Sequence, residues 1–97
     1  MGAYSRSKRL LMNKPDASLK IVSVAFTKAF LEVRFSNGRV VRNPLKWYPR
    51  LMHASAEERN AFEISGGGYG AHWAHLDEDL SATGISQGIP SVEYRAS

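Results

Sequence analysis

The chain contains no cysteine, which excludes a disulfide framework, a thiolate metal site and a cysteine nucleophile. It has no apolar run close to the ~18 residues that a membrane-spanning helix requires. The apolar residues 10–12 are too few for the core of a signal peptide. We therefore expect a protein of the reducing cytoplasm that makes no contact with a membrane.

Basic residues are scarce in the second half of the chain. Residues 51–97 contain seven Asp or Glu but only Arg59 and Arg95 as basic residues, whereas residues 1–50 contain eleven Lys or Arg and two acids. The halves carry formal charges of +9 and −5, which together give the +4 of the whole chain. This division favours contact with a charged partner, and it also allows the halves to attract each other within one molecule or in a homo-oligomer.

Length and composition predict one globular domain. The chain has 97 residues, of which 43% are hydrophobic and 23% are charged, and these proportions argue against disorder of the whole. We interpret residues 1–18 as a flexible basic arm, because small and basic residues there are followed by turn-forming residues. Residues 19–90 are predicted to form the domain, and residues 91–97 a polar tail.

Alternation of apolar and polar residues predicts the strands of the first half. Residues 21–26 and 30–35 alternate, and Asn37-Gly38 accepts the positive φ of a tight hairpin turn. A third strand follows at 39–43, so the three form a β-meander. The residues expected on the buried side are Val22, Val24, Phe26, Leu31, Val33 and Phe35.

The apolar spacing then changes to that of short helices. Pro49 suits the first turn of one helix. Ser55 and Glu58 have the spacing of a capping box, which predicts a second helix at about 56–61.

Two further short strands are predicted after these helices. They lie at 62–65 and 71–73, and the glycines 66–68 between them indicate a bulge or tight turn. Residues 76–85 read as a loop that ends in a helical turn, with Gly84 as its cap. The fold class is therefore α+β, a small antiparallel sheet of a β-meander plus two further short strands, with short helices on one side. The expected aromatic anchors are Phe35, Trp47, Phe62 and Trp73.

The segment 66–81 concentrates glycines, histidines and acids, and it invites interpretation as a metal or phosphate site. His72 and His75 with nearby carboxylates resemble a ligand set for zinc or iron. A strand here, however, would turn His72 and Trp73 to opposite faces and leave His75 beyond the turn. The glycines lack the lysine of a phosphate loop and the long helix of a dinucleotide fingerprint. We therefore expect no metal and no cofactor, and we ascribe the glycines to backbone geometry.

Asp77, Glu78 and Asp79 form the densest acidic cluster in the chain. General acid–base catalysis would require a partly buried cleft and a nucleophile, and Ser81 and Ser86 lack the setting of a nucleophile elbow. One acid could instead cap the helical turn that follows, with the others solvated. Alternatively, the acids contact a partner protein. We expect no enzymatic activity.

Three stretches of the sequence closely resemble a known bacterial family. They are residues 47–60 (WYPRLMHASAEERN), 64–73 (ISGGGYGAHW) and 76–81 (LDEDLS), and the hairpin at 33–39 also fits. The family is the uncharacterised domain of unknown function 2442. The resemblance covers about residues 21–90 and departs from the family at Ala74, where proline is usual.

This resemblance implies a small α+β domain from bacteria or mobile elements. Some members of the family are fused to a helix-turn-helix. Many are encoded beside another small uncharacterised protein in an apparent toxin–antitoxin arrangement, in which the family member is the presumed antitoxin. The family has no established catalytic residue.

Our leading hypothesis is a non-enzymatic protein-interaction module, antitoxin-like, whose partner is another small, basic, toxin-like protein. The acids would steer and register this partner, while aromatic residues supply buried contact. The expected partner-binding residues are Asp77, Glu78, Asp79, Tyr69 and Trp73. The alternative hypothesis is a nucleic-acid-associated or regulatory protein that works through the basic half. Its binding residues would be Arg6, Lys8, Arg9, Arg34, Arg39 and Arg42.

Overall fold

The structure, a computed structural model, describes residues 19–96 and has an α+β fold, as the sequence predicted. It contains two antiparallel sheets of three strands each, and the strand order in each sheet follows the chain. The predicted basic arm, with Arg6, Lys8 and Arg9, lies outside the described residues. Within residues 19–96, no helix is long and apolar enough to cross a membrane.

The first sheet is the predicted β-meander of β1 (Ile21–Phe26), β2 (Phe30–Phe35) and β3 (Val40–Pro44). In β2 the alternating residues Leu31, Val33 and Phe35 are buried, as expected. The hairpin turn places Gly38 at a φ of 89°.

A β-bulge overturns the predicted alternation at the start of β1. The register between β1 and β2 shifts between Ile21 and Ser23, so that Ile21 and Val24 are both buried. Val22 was predicted to face the core and is exposed instead. An extra residue in one strand reverses the side to which the preceding side chains point, which alternation alone does not reveal.

Short helical elements connect the two sheets. A 3-10 turn at Leu45–Trp47 leads into α1 (Pro49–Met52), with Pro49 in its first turn, and α2 (Ala56–Asn60) follows. The predicted capping box is present, because the Ser55 hydroxyl accepts from the Glu58 amide at 3.1 Å and the Glu58 carboxylate accepts from the Ser55 amide at 2.8 Å. Two orphan donors at the start of α2 are thereby satisfied.

The second sheet contains the two predicted short strands and a third that the sequence analysis had assigned to a loop. Its strands are β4 (Glu63–Ser65), β5 (Gly70–Trp73) and β6 (Glu78–Ser81). The prediction was wrong for β6 because its first residues, Glu78 and Asp79, are of types depleted in strands. Pairing with β5 overrides that local preference, and it begins where Trp73 lies opposite Glu78.

The glycines between β4 and β5, Gly66–Gly68, form a tight turn with positive φ at all three positions. This turn passes directly over the start of β1. A Cβ atom added to Gly68 would lie 2.7 Å from the Cβ of Lys20, whereas one added to Gly67 would meet nothing within 4 Å. The space beside Gly68 is therefore too small for a side chain, because Lys20 occupies it.

The chain ends in two short helices, α3 (Ala82–Ser86) and α4 (Val92–Ala96). The cap of α3 was predicted to be an acid but is Ser81, whose hydroxyl accepts from the Gly84 amide at 2.9 Å. Gly84, predicted as a terminal cap, lies inside α3. Helix α4 lies within the predicted polar tail, where the Ser91 amide donates to the Trp47 carbonyl oxygen at 3.1 Å.

Trp73 joins the two sheets and the helices into one core. Its side chain is 1% exposed and contacts Phe26 of the first sheet and Phe62 beside the second, with ring centroids 6.4 and 6.0 Å away. Its indole N–H donates to the carbonyl oxygen of Arg59, at the end of α2, at 2.8 Å. The predicted anchors are confirmed, since Phe35 is buried as well and Trp47 and Phe62 pack against the core.

We expect Gly68→Ala to destabilise the domain far more than Gly67→Ala. Both changes place a side chain at positive φ, which costs ~1–2 kcal/mol, but only the first also forces the Lys20 backbone away. Chemical denaturation should therefore give a loss above ~2 kcal/mol for Gly68→Ala and about 1 kcal/mol for Gly67→Ala. Equal losses would show that the close approach of the two segments contributes nothing.

Candidate functional site

The three consecutive acids that the sequence singled out point to three different places. Asp77 occupies the turn before β6 at a φ of 51°, and its side chain is 92% exposed. Glu78 faces inward, is only 8% exposed and lies opposite Trp73. Asp79 faces outward with its side chain 73% exposed. Alternation along β6 therefore separates the acids, and the predicted single acidic cluster does not exist.

The outer face of the second sheet gathers part of the predicted site. We define this outer face by the cross-strand row Glu63, His72 and Asp79, in which each residue is the register partner of the next. His72 Nδ1 and Asp79 Oδ1 are 2.6 Å apart. Glu63 and Asp79 are exposed, and His72 is partly buried. The row thus presents carboxylates to solvent at both edges of the sheet.

Tyr69 lies beside the outer face, as the sequence led us to expect. Its ring is 46% exposed, and Tyr69 and Asp79 line the same shallow depression between β5 and β6. The ammonium group of Lys20 lies 5.8 Å from the centre of the Tyr69 ring, a cation–π distance. Tyr69 and Asp79 are therefore the two predicted partner-binding residues that the fold brings together on the surface.

Trp73, in contrast, cannot contact a partner protein as the sequence analysis predicted. Its side chain is enclosed by the core, and its one polar atom is bonded to the Arg59 carbonyl oxygen. The sequence carried the relevant signal, because alternation places neighbouring His72 and Trp73 on opposite faces and a tryptophan is the better core residue of the two.

The histidines do not form the metal site that we considered. His72 interacts with Asp79, while His75 lies in the 3-10 turn Ala74–Leu76 that follows β5. Among residues 19–96, no group of three His, Asp or Glu side chains is arranged to hold a metal ion.

The inner side of β6 borders a second feature, a cleft of about 450 Å³ between β6, α3 and α4. We call it the Glu78 cleft. Its lining mixes the charged residues Arg50, Glu78, Asp79, Glu93 and Arg95 with an apolar part that includes Leu80, Ile85, Ile89, Pro90 and Val92. Within the described part of the chain, Glu78 Oε2 is the one fully buried side-chain polar atom that receives no hydrogen bond.

Arg50 closes one side of this cleft. Its Nε lies 2.9 Å from Glu93 Oε1, and its Nη1 donates to the carbonyl oxygens of Leu76 at 3.2 Å and Asp77 at 2.8 Å. Nη1 is also 3.5 Å from Asp77 Oδ2. Arg50 therefore ties α4 to the turn before β6. These contacts have no local sequence signal, because the partners of Arg50 are 26 to 43 residues away.

Burial raises the pKa of Glu78 above its usual value of 4.5, and the nearby charge of Glu93 raises it further. Arg50 opposes this shift, while Asp79 and Asp77 add to it. Burial likewise raises the pKa of Tyr48 above 10.0, against the effect of the hydrogen bond from Asn43 and with that of the Glu78 charge. Desolvation thus disfavours negative charge in this part of the protein.

Asn43 fixes Tyr48 at the base of the cleft. Its side-chain N–H groups donate to the Tyr48 hydroxyl oxygen at 2.9 Å and to the Ile85 carbonyl oxygen at 3.0 Å. Nothing in the sequence indicated this contact beyond the polar type of Asn43. The sequence analysis had placed Asn43 only at the end of the third strand.

The basic residues of the alternative hypothesis are exposed on the first sheet, but two of the three have intramolecular partners. Arg42 Nε lies 2.6 Å from Glu32 Oε2 across the strands, and Arg39 Nη2 donates to the Ser86 carbonyl oxygen at 3.3 Å. Arg34 is exposed on the same face as Arg42. This face is consequently less basic than the sequence suggested.

Comparison with known proteins identifies the family. The model of the family described as "Protein of unknown function (DUF2442)" matches residues 21–91. The chain belongs to this family. No match was found among functionally curated proteins.

Two solved structures are similar to this family member. A protein of unknown function from Rhodospirillum rubrum is 32% identical, with a TM-score of 0.65, and the match covers 77% of this chain and 93% of that one. An uncharacterized protein from Chromobacterium violaceum is 24% identical, with a TM-score of 0.67, covering 95% of this chain and 86% of that one. The second likeness supports the fold alone.

We expect Glu78→Gln to stabilise the domain at neutral pH. Because burial raises the pKa of Glu78 in the folded state, charging it at pH 7 costs stability, and that cost disappears as pH falls toward 4.5. The variant should be more stable than the parent by about 1 kcal/mol at pH 7, and the difference should shrink at lower pH.

Denaturant titrations at several pH values between 4.5 and 7 would measure this difference. Glu63→Gln is the matched control, because it removes an exposed carboxylate from the same sheet and should change stability by less than ~0.5 kcal/mol. A stability gain for Glu78→Gln that grows on acidification would contradict the assignment.

Proposed function

We propose that this protein is a non-enzymatic protein-binding module, the antitoxin-like member of a bacterial toxin–antitoxin-type pair, and that it acts in the cytoplasm. The observation that carries the proposal is the outer face of the second sheet. Glu63 and Asp79 are exposed there, Tyr69 lies beside them with the Lys20 ammonium over its ring, and residues 60–94 contain no Lys or Arg. Such a surface suits a basic protein partner.

The exposed carboxylates would act mainly on the rate and orientation of encounter. Charges at the rim of an interface attract and align a partner of opposite sign, and they add less to the lifetime of the complex. Tyr69 would supply contact area, since tyrosine offers a large apolar ring with a polar end. Asp77, on the exposed turn, would add less to this surface, because Arg50 Nη1 lies 3.5 Å from its Oδ2.

The edge of the second sheet offers a further means of contact. β4 is an edge strand, and all three of its residues are exposed, including Ile64. An extended segment of a partner can add to such an edge through main-chain hydrogen bonds. Side-chain charge on the adjoining face would then select which segment binds.

Nucleic-acid binding through the basic half is the alternative, and Arg34 is the observation that favours it. Its side chain is exposed at the centre of the first sheet, beside Arg42 on the outward-facing side. The pairing of Arg42 with Glu32 weakens this alternative, because it neutralises one of the charges that would meet a phosphate backbone.

Neutralising the outer face should weaken partner binding. The experiment co-expresses the tagged protein with the product of the adjacent reading frame and measures binding of the purified pair by calorimetry at two salt concentrations. We expect the variant Glu63→Gln/Asp79→Asn to lose about tenfold in affinity at low salt and less at high salt, because screening already weakens the same charges.

The matched control is Glu57→Gln, which removes an exposed carboxylate from α2 and should leave binding unchanged. Tyr69→Ala tests the aromatic contact separately. Retention of full affinity by the double variant and by Tyr69→Ala would rule out the outer face as the binding surface.

The alternative predicts a different response. If the basic half binds nucleic acid, Arg34→Gln should reduce the shift of a DNA or RNA fragment in a gel at low salt, and the affinity should fall steeply as salt rises. Absence of any shift at low salt would remove this alternative. An unchanged shift in Arg34→Gln would place the contact elsewhere.

A further inference from the structure

Glu78 lines the cleft, and one of its two carboxylate oxygens has no hydrogen-bond donor. The residue is 8% exposed, and its Oε2 atom is buried without any donor. Leaving a buried charged oxygen unpaired is unfavourable, and the pKa of Glu78 is raised accordingly. A positively charged donor inside the cleft would compensate the charge of this carboxylate.

The protein's own nearest cation does not supply that donor. Arg50 directs Nε to Glu93 and Nη1 to two backbone carbonyl oxygens, so its guanidinium is oriented by the turn before β6 and by α4. Arg95 lines the same cleft and is exposed. The cleft is therefore built around a carboxylate whose countercharge is held by other partners.

The walls of the cleft suit an unbranched apolar stem. Leu80, Ile85, Ile89, Pro90 and Val92 contribute to its lining, and Ile89 and Val92 are exposed large hydrophobic residues. A ligand with several methylene groups would cover this apolar surface, at a gain of roughly 0.8 kcal/mol per buried methylene. A lysine side chain fits this combination, because its methylene stem would contact the apolar walls and its ammonium group the buried carboxylate.

The other charged groups around the cleft favour a cation over an anion. Glu93 on α4, Asp79 on β6 and Asp77 in the preceding turn all raise the pKa of Glu78, while Arg50 lowers it and the Tyr48 hydroxyl interacts with its charge. An anion would meet Glu78 and Glu93 together. A neutral apolar ligand would bury the carboxylate further and leave it unpaired.

We infer that the Glu78 cleft binds an alkylammonium group, supplied by a lysine side chain of the protein partner. That the lysine belongs to the partner rests on the proposed function, whereas the affinity of the cleft for an alkylammonium does not. The ammonium is a compact charge with three donors, which matches a single carboxylate better than the wide fork of a guanidinium.

The test uses the full chain and a small probe, so it does not depend on knowing the partner. Nα-acetyl-lysine methylamide is titrated into the ¹⁵N-labelled protein, and amide shifts of the residues around the cleft are followed by NMR. The neutral comparison is Nα-acetyl-norleucine methylamide, which keeps the stem but lacks the charge. We expect saturable shifts near Glu78, Leu80 and Ile89 with the lysine probe only.

Two variants separate the effect of the buried carboxylate from that of surface charge in general. Glu78→Gln should weaken binding of the lysine probe at least about tenfold, whereas Glu57→Gln, which removes an exposed carboxylate on α2 outside the cleft lining, should leave it within about twofold. If Glu78→Gln does not fold, the ¹³C signal of the Glu78 carboxyl in the parent provides the readout. Its titration midpoint should move to lower pH when the probe is bound.

Equal shifts with both probes, no saturable shift, or undiminished binding by Glu78→Gln would overturn the inference. These outcomes are distinguishable from failure of the proposed function. A cleft that binds the lysine probe in a protein that ignores its genomic neighbour would keep the alkylammonium site and reject only that partner.

Discussion

The burial of Trp73 determines which side chains of β5 and β6 face the core and which face solvent. Its ring lies between the sheets and its N–H is bonded to the Arg59 carbonyl oxygen, so β5 has only one acceptable orientation. Residues directly opposite each other in an antiparallel pair share a face. Since Glu78 is opposite Trp73, it must point inward, and Asp79, opposite His72, must point outward. One aromatic anchor thereby gives two adjacent acids opposite environments.

This constraint explains why the protein contains a buried carboxylate with an unpaired oxygen. A slip of β6 by one residue would expose Glu78, but it would turn Leu80 to solvent and Asp79 into the core. Because the register cannot change without that loss, the unfavourable position of Glu78 persists. The Arg50 network lowers its cost only in part, since burial and the charge of Glu93 act in the opposite direction.

Local patterns in the sequence were sufficient to predict the first sheet and the capped helix. Alternation in β2, the Asn37-Gly38 turn and the Ser55/Glu58 box are signals between near neighbours, and the structure confirmed all three. The bulge in β1, strand β6 and the Arg50 contacts were missed because each depends on residues distant in the chain.

The two sheets differ in how their charged side chains are paired within the molecule. In the first sheet Glu32 pairs with Arg42 across the strands, while Arg34 is exposed on the same face. In the second sheet Glu63 and Asp79 flank His72, and no lysine or arginine occurs between residues 60 and 94 to match them. Surface pairs contribute little to stability, so an unmatched face costs the fold little as well. Folding alone would therefore not require an acid at Glu63, whereas Asp79 already interacts with His72 at 2.6 Å. Contact of this face with a basic molecule is the proposal that these two exposed carboxylates support.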